Sequence, residues 1–143
     1  MARYVIKIKT PMSVEDTFDF MADMRNFKTW DPGVSSAELV KGDAPRLGAE
    51  FDLTANGTDL TYVLVEYDRP SRVVAEANTA RLRSYDVIEV VGEGDGSIVT
   101  YDAALELKGI FALGEPIMRA IFKRIVRQAE EGLRAALDGT KVD

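Results

Sequence analysis

The chain has 143 residues, of which 46% are hydrophobic and 29% charged, with 18 Lys+Arg against 24 Asp+Glu for a net charge of −6. This is the balance of one folded domain, 1–143, able to bury roughly 70% of the surface its unfolded chain exposes, and its acidity disfavours nucleic acid, which recruits concentrated positive charge. With no histidine and no cysteine, imidazole bases, thiolate nucleophiles, disulfides, zinc fingers and cysteine-ligated iron–sulfur clusters are all excluded, and no cofactor is implied.

The opening segment MARYVIKIKT alternates charged and apolar residues and lacks the apolar stretch of a signal peptide. No run approaches the ~18 apolar residues of a membrane span. The expectation is a cytoplasmic protein with no integral membrane association. Tyr4, Ile6 and Ile8 fall on one face of a strand over 3–9, which Pro11 stops. Ser13, with Asp16 three residues on, caps a short helix whose apolar stripe is Val14, Phe18, Met21 and Ala22. A second short helix follows, closed by Trp30-Asp31-Pro32-Gly33.

Six further strands are predicted near 34–42, 48–56, 59–68, 72–79, 82–91 and 97–108. They are separated by turn signals such as Asn56-Gly57 and the glycine-rich run Gly92–Gly96. That run is acidic and precedes a strand, so it reads as a hairpin turn, not as a phosphate cradle. The short connections imply antiparallel pairing of seven strands. From Glu115 to about Leu137, apolar residues recur at spacings of three and four through six turns, with Pro116 in the first turn and Gly139 past the end. A helix of about 35 Å must bury that stripe, and the sheet is its only large partner.

The order strand, two short helices, six strands, long helix resembles the SRPBCC or START-like helix-grip superfamily, to which the birch-pollen allergen belongs, and within it the polyketide cyclase/dehydrase-like group. The resemblance is carried by Val5-Ile6-Lys7-Ile8 through Pro11, Val14 to Phe20, Trp30-Asp31-Pro32, Glu66-Tyr67-Asp68-Arg69-Pro70, Gly96 to Tyr101 and the final helix. It implies an α+β fold in which a curved antiparallel sheet grips the C-terminal helix. It also implies a deep apolar cavity between them.

Alternation then assigns faces. Phe51 and Leu53 point inward from one strand and Tyr62 and Leu64 from the next, although Val63 and Val65 are nearly as apolar. Val73, Ala75 and Ala77 are small inward residues that leave room. Tyr101, Ala103 and Leu105 alternate inward with Val99 and Leu107. On 82–91, Tyr85 and Val87 compete with Ile88 and Val90 for the inner face; Tyr85 and Val87 enter the candidate set. Met118, Ile121, Phe122 and Ile125 form the lid. Trp30 stands at the mouth or pins the short helices to the sheet. Gly109 and Gly114 flank a gate in which Phe111 and Leu113 cover the entrance. Asp52, Asp86 and Asp102 are expected to face outward, leaving no paired-carboxylate site. Arg119, Lys123 and Arg127 read as a solvated helix face.

The function expected from this is non-catalytic binding of a small apolar ligand such as a lipid, polyketide or aromatic metabolite. The alternatives are a cyclase or dehydratase using Tyr62 or Tyr101 in the same cavity, or a protein-interaction module with the cavity collapsed. Exposed sheet edges leave room for a homodimer.

Overall fold

The alternation at the start of the chain folds as β1 (Ala2–Thr10), in the computed structural model that describes residues 1–142. Ile6 and Ile8 are buried and Tyr4 is half-buried on one face, while Val5 on the other face is exposed. The next helix, α1 (Val14–Ala22), begins at Ser13, whose hydroxyl accepts from the Asp16 N–H at 3.1 Å. A 3-10 turn over Met24–Asn26 leads into the single turn α2 (Phe27–Trp30). The strands that follow are β2 (Val34–Lys41), β3 (Glu50–Ala55), β4 (Thr58–Asp68), β5 (Arg72–Asn78), β6 (Leu82–Glu93) and β7 (Gly96–Leu107). A 3-10 segment over Gly109–Gly114 opens into α3 (Glu115–Ala136).

The sheet has one strand more than the sequence suggests. Thr140–Lys141 forms β8 against Ile8 and Lys9 of β1. Two exposed polar residues carry no alternation that a pattern reading detects. The full order is β2-β3-β4-β5-β6-β7-β1-β8, with every pair antiparallel. Asn56 and Gly57 both take positive φ, 50° and 80°, which is the two-residue turn that joins β3 to β4. Register shifts in β2 and between Leu64 and Glu66 of β4 add local bends. The result is a curved sheet gripping one long helix.

Cross-strand partners share a face, so a few registers fix the concave surface. Phe51 pairs with Tyr62, Leu53 with Leu60, Leu64 with Ala75, and Ile88 with Tyr101. All eight side chains are buried. Helix α1 closes one end of this bowl. Its Thr17 and β7's Ser97 share a buried hydrogen bond of 2.8 Å, and Ser97 donates onward to the Met12 carbonyl at 3.0 Å.

Helix α3 is seated unevenly. At its C-terminal end Ala129, Leu133 and Leu137 are fully buried, and the Leu137 carbonyl accepts a 2.6 Å hydrogen bond from the buried Thr10 hydroxyl of β1. Gly132 permits a close approach, because a Cβ there would land on the Trp30 carbonyl oxygen. In the N-terminal half, Met118, Phe122 and Ile125 are only half-buried, and Ile117 and Ile121 are exposed. The helix is pressed down at one end and stands off the sheet at the other. Among the described residues no helix is long and apolar enough to cross a membrane.

Candidate functional site

The space beneath the raised end of α3 is a cavity of about 290 Å³. Leu53, Leu60, Leu82, Ala103 and Leu105 line it from the sheet, and Met118, Ile121, Phe122 and Ile125 from the helix. Phe27 and Asp31 close its inner end, and Asn56 and Thr58 stand at the β3–β4 turn.

One part of the wall is polar. Tyr4 of β1, Tyr62 of β4, Ser84 and Asp86 of β6, Tyr101 of β7 and Asp31 after α2 all reach the cavity. The Tyr101 hydroxyl donates to Asp86 Oδ2 at 2.7 Å, while Tyr62 and Ser84 share a hydrogen bond of 2.6 Å. Asp31 Oδ1 accepts from the Gly33 N–H at 2.9 Å. The cross-strand neighbours of Asp86 are Ala75 and Ala103, too small to cover it, so its carboxyl opens onto the cavity while only 3% exposed. The Tyr101 ring is clamped by Phe27 at 5.9 Å, Trp30 at 5.5 Å and Tyr4 at 6.0 Å, which fixes the direction of its hydroxyl.

Burial governs the electrostatics. Removal from water pushes the Asp86 carboxyl up to about 7, against the opposing hydrogen bond from Tyr101 and with a further push from the negative charges of Asp31 and Asp102. Burial raises Asp31 as well, and it holds the Tyr4, Tyr62 and Tyr101 hydroxyls neutral, well above the usual phenol range. Among the described residues, no lysine or arginine lies on the cavity wall.

Of the residues proposed from the sequence, Leu53, Tyr62, Tyr101, Ala103, Leu105, Met118, Ile121, Phe122 and Ile125 come together around this space. Phe51, Leu64 and Ala75 are buried on the same concave face but pack in the core beyond it. Trp30 is buried behind Tyr101 and Phe27, so it pins the short helices and does not stand at the mouth. Phe111 is exposed, with the Arg81 guanidinium 5.7 Å from its ring, and Leu113 is also solvent-facing; neither covers the entrance.

Tyr85 and Val87 lie on the convex face, where Tyr85 packs under Arg83 at 5.0 Å. Strand β6 therefore has the opposite parity, and Asp86 points inward where the sequence reading had it outward. The other two aspartates behave as expected: Asp102 is paired with Arg3 at 2.7 Å and Asp52 accepts from Thr61 at 2.8 Å, both on the outer face. Sequence reasoning also left Tyr4, Asp31 and Ser84 out of the candidate set.

Several solved structures share this fold. A START superfamily protein from Mycobacterium smegmatis superposes with a TM-score of 0.75 at 11% identity, covering 96% of this chain and 98% of that one. An HSP90 activator from Plasmodium falciparum gives 0.69 at 13% identity, covering 99% and 100%. The major latex-like protein 151 of Panax ginseng gives 0.65 at 10% identity, covering 95% and 97%. No curated protein matches the sequence. The family model described as polyketide cyclase / dehydrase and lipid transport matches residues 1–138, and the chain belongs to that family.

Proposed function

We propose that this protein binds one small, mostly apolar molecule in the cavity between α3 and the sheet. The observation that carries the reading is the 290 Å³ space itself, apolar over most of its wall with its ionisable side chains gathered around Asp86. That is the composition of a site that gains affinity from burial and orientation from a few hydrogen bonds. Its size suits a compact ligand, because it falls just below the usual range for ligand pockets, about 300–1,000 Å³. The family's description, which includes lipid transport, supports a carrier. Ligand enters under the loosely seated end of α3, where Ile117 and Ile121 are exposed.

Ala103→Trp tests this. The residue lines the cavity from β7 between Tyr4 and Asp86, and an indole there occupies the ligand's place while adding apolar burial. In thermal melts with a panel of apolar probes, the parent protein is stabilised by about 2.7 kcal/mol at a hundredfold excess over Kd, and Ala103→Trp stays folded without responding. A parent that no probe stabilises, or a variant that responds equally, rejects the reading.

A second reading, acid–base catalysis on a bound carbonyl compound, is favoured by one observation: a buried carboxyl, pushed up to about 7 by its burial, 2.7 Å from a fixed tyrosine hydroxyl. Under that reading Tyr101→Phe removes turnover of a carbonyl substrate and leaves its binding intact.

A further inference from the structure

The polar pole has a sign. Among the described residues, Asp31 and Asp86 are the only charged side chains on the cavity wall. Asp86 uses one oxygen to accept from Tyr101, and this is its sole side-chain hydrogen bond among the described residues. Its other oxygen is left for whatever occupies the space. The elements packed around it present Tyr62 from β4, Tyr101 from β7, Tyr4 from β1 and Asp31 after α2. The wall contributed by α3 is apolar. The two charges that push the Asp86 carboxyl up, Asp31 and Asp102, are both negative, and Asp102 is paired with Arg3 on the outer face.

A carboxylate-bearing ligand placed here meets two acids and no cation. A protonated amine meets the reverse. Its ammonium completes an ion pair with Asp86, its remaining N–H donors find Asp31 or the tyrosine oxygens, and the rings of Tyr4, Phe27, Tyr101 and Phe122 lie around the same space. Aromatic faces attract cations in a desolvated setting. A buried ion pair is favourable only when its geometry and the remaining hydrogen bonds are satisfied, and this wall supplies the acceptors. Resting on the ligand-binding reading above, we infer that the cavity selects a compact apolar amine, held by Asp86 through its ammonium group, and rejects apolar carboxylic acids.

Three eight-carbon probes that differ only at the polar end decide the matter: octylamine, octanol and octanoic acid. Isothermal titration at pH 8 is expected to give octylamine at least a tenfold lower Kd than octanol, with octanoate undetectable. In Asp86→Asn the amine loses its advantage, its Kd coming to within about twofold of octanol's on the same variant. Lowering the pH to 5 protonates Asp86 and erodes the amine preference in the parent alone. Octanol binding as tightly as octylamine, or an amine preference that survives Asp86→Asn, overturns the assignment while leaving the cavity a binding site. Silence from all three probes, with thermal shifts absent for uncharged ligands as well, overturns the binding reading and the amine assignment together.

Discussion

Asp86→Asn is expected to raise the stability of the protein at pH 8, by as much as about 4 kcal/mol. An aspartate in the unfolded chain titrates near 3.8, whereas Asp86 in the fold is pushed up to about 7, chiefly by burial. The gap is about three decades in proton affinity, and each decade corresponds to about 1.4 kcal/mol. The folded state therefore holds this proton more tightly than the unfolded state. From pH 4 to pH 7 the unfolded chain has released it while the native carboxyl retains it, so stability falls as pH rises through that window and levels off above 7. Asparagine keeps the shape and still accepts from Tyr101, but it has no charge to strand. The two proteins are expected to melt together near pH 4 and to separate by roughly 10 °C at pH 8, given a few degrees per kcal/mol for a domain of this size. Coincident melting curves at pH 8 would show that water or a local rearrangement relieves the buried charge. A cost of this size, kept in a side chain with no partner of opposite sign, is what a site tolerates when its ligand supplies the missing charge.

Most of the fold was legible because its signals are local and periodic. The stripe of α3, the Ser13 cap and the Asn56-Gly57 turn each depend on a few adjacent residues, and each appears where the sequence puts it. The polar pole was missed because β6 is apolar at both parities: Tyr85 and Val87 on one, Ile88 and Val90 on the other. Two signals resolve it. The odd face also carries Arg83 and Glu89, whereas Asp86 is the only charge on the even face. In addition, the tight turn at Gly94 pairs Val90 with Val99, so the clear alternation of β7 passes directly to β6 and turns Asp86 inward with Tyr101. Asp31 carries no such signal, because it lies in a turn. Tyr4 shares its face with Ile6 and Ile8, but β1 is far from β6 in sequence, and only the sheet order, which pairs Tyr4 with Ala103 of β7, brings it to the cavity. The uneven seating of α3 is likewise unreadable from a stripe that is equally apolar at both ends.

Trp30→Ala is expected to cost about 3–5 kcal/mol, the usual range for deleting a large buried aromatic side chain. The ring is 2% exposed and lies 4.8 Å from Phe27 and 5.5 Å from Tyr101, and its carbonyl is the surface on which Gly132 of α3 rests. Removing it opens a void at the junction of α2, β7 and the long helix. Trp30→Phe provides the contrast. The indole Nε1 is buried and has no hydrogen-bond partner among the described residues, and an unsatisfied buried donor costs about 1–3 kcal/mol. Phenylalanine keeps much of the apolar contact and discards that donor, so the two effects offset and the expected loss is within about 1 kcal/mol. Urea unfolding followed by circular dichroism measures both, since Trp30 is the only tryptophan and each variant lacks it as a fluorescent probe. Equal losses in the two variants would mean that the indole N–H contributes stability through a partner such as bound water. The alanine variant should also lose octanol affinity, because Tyr101 is held against Asp86 by the same ring; retention of full affinity would show that Phe27 and Tyr4 hold Tyr101 without it.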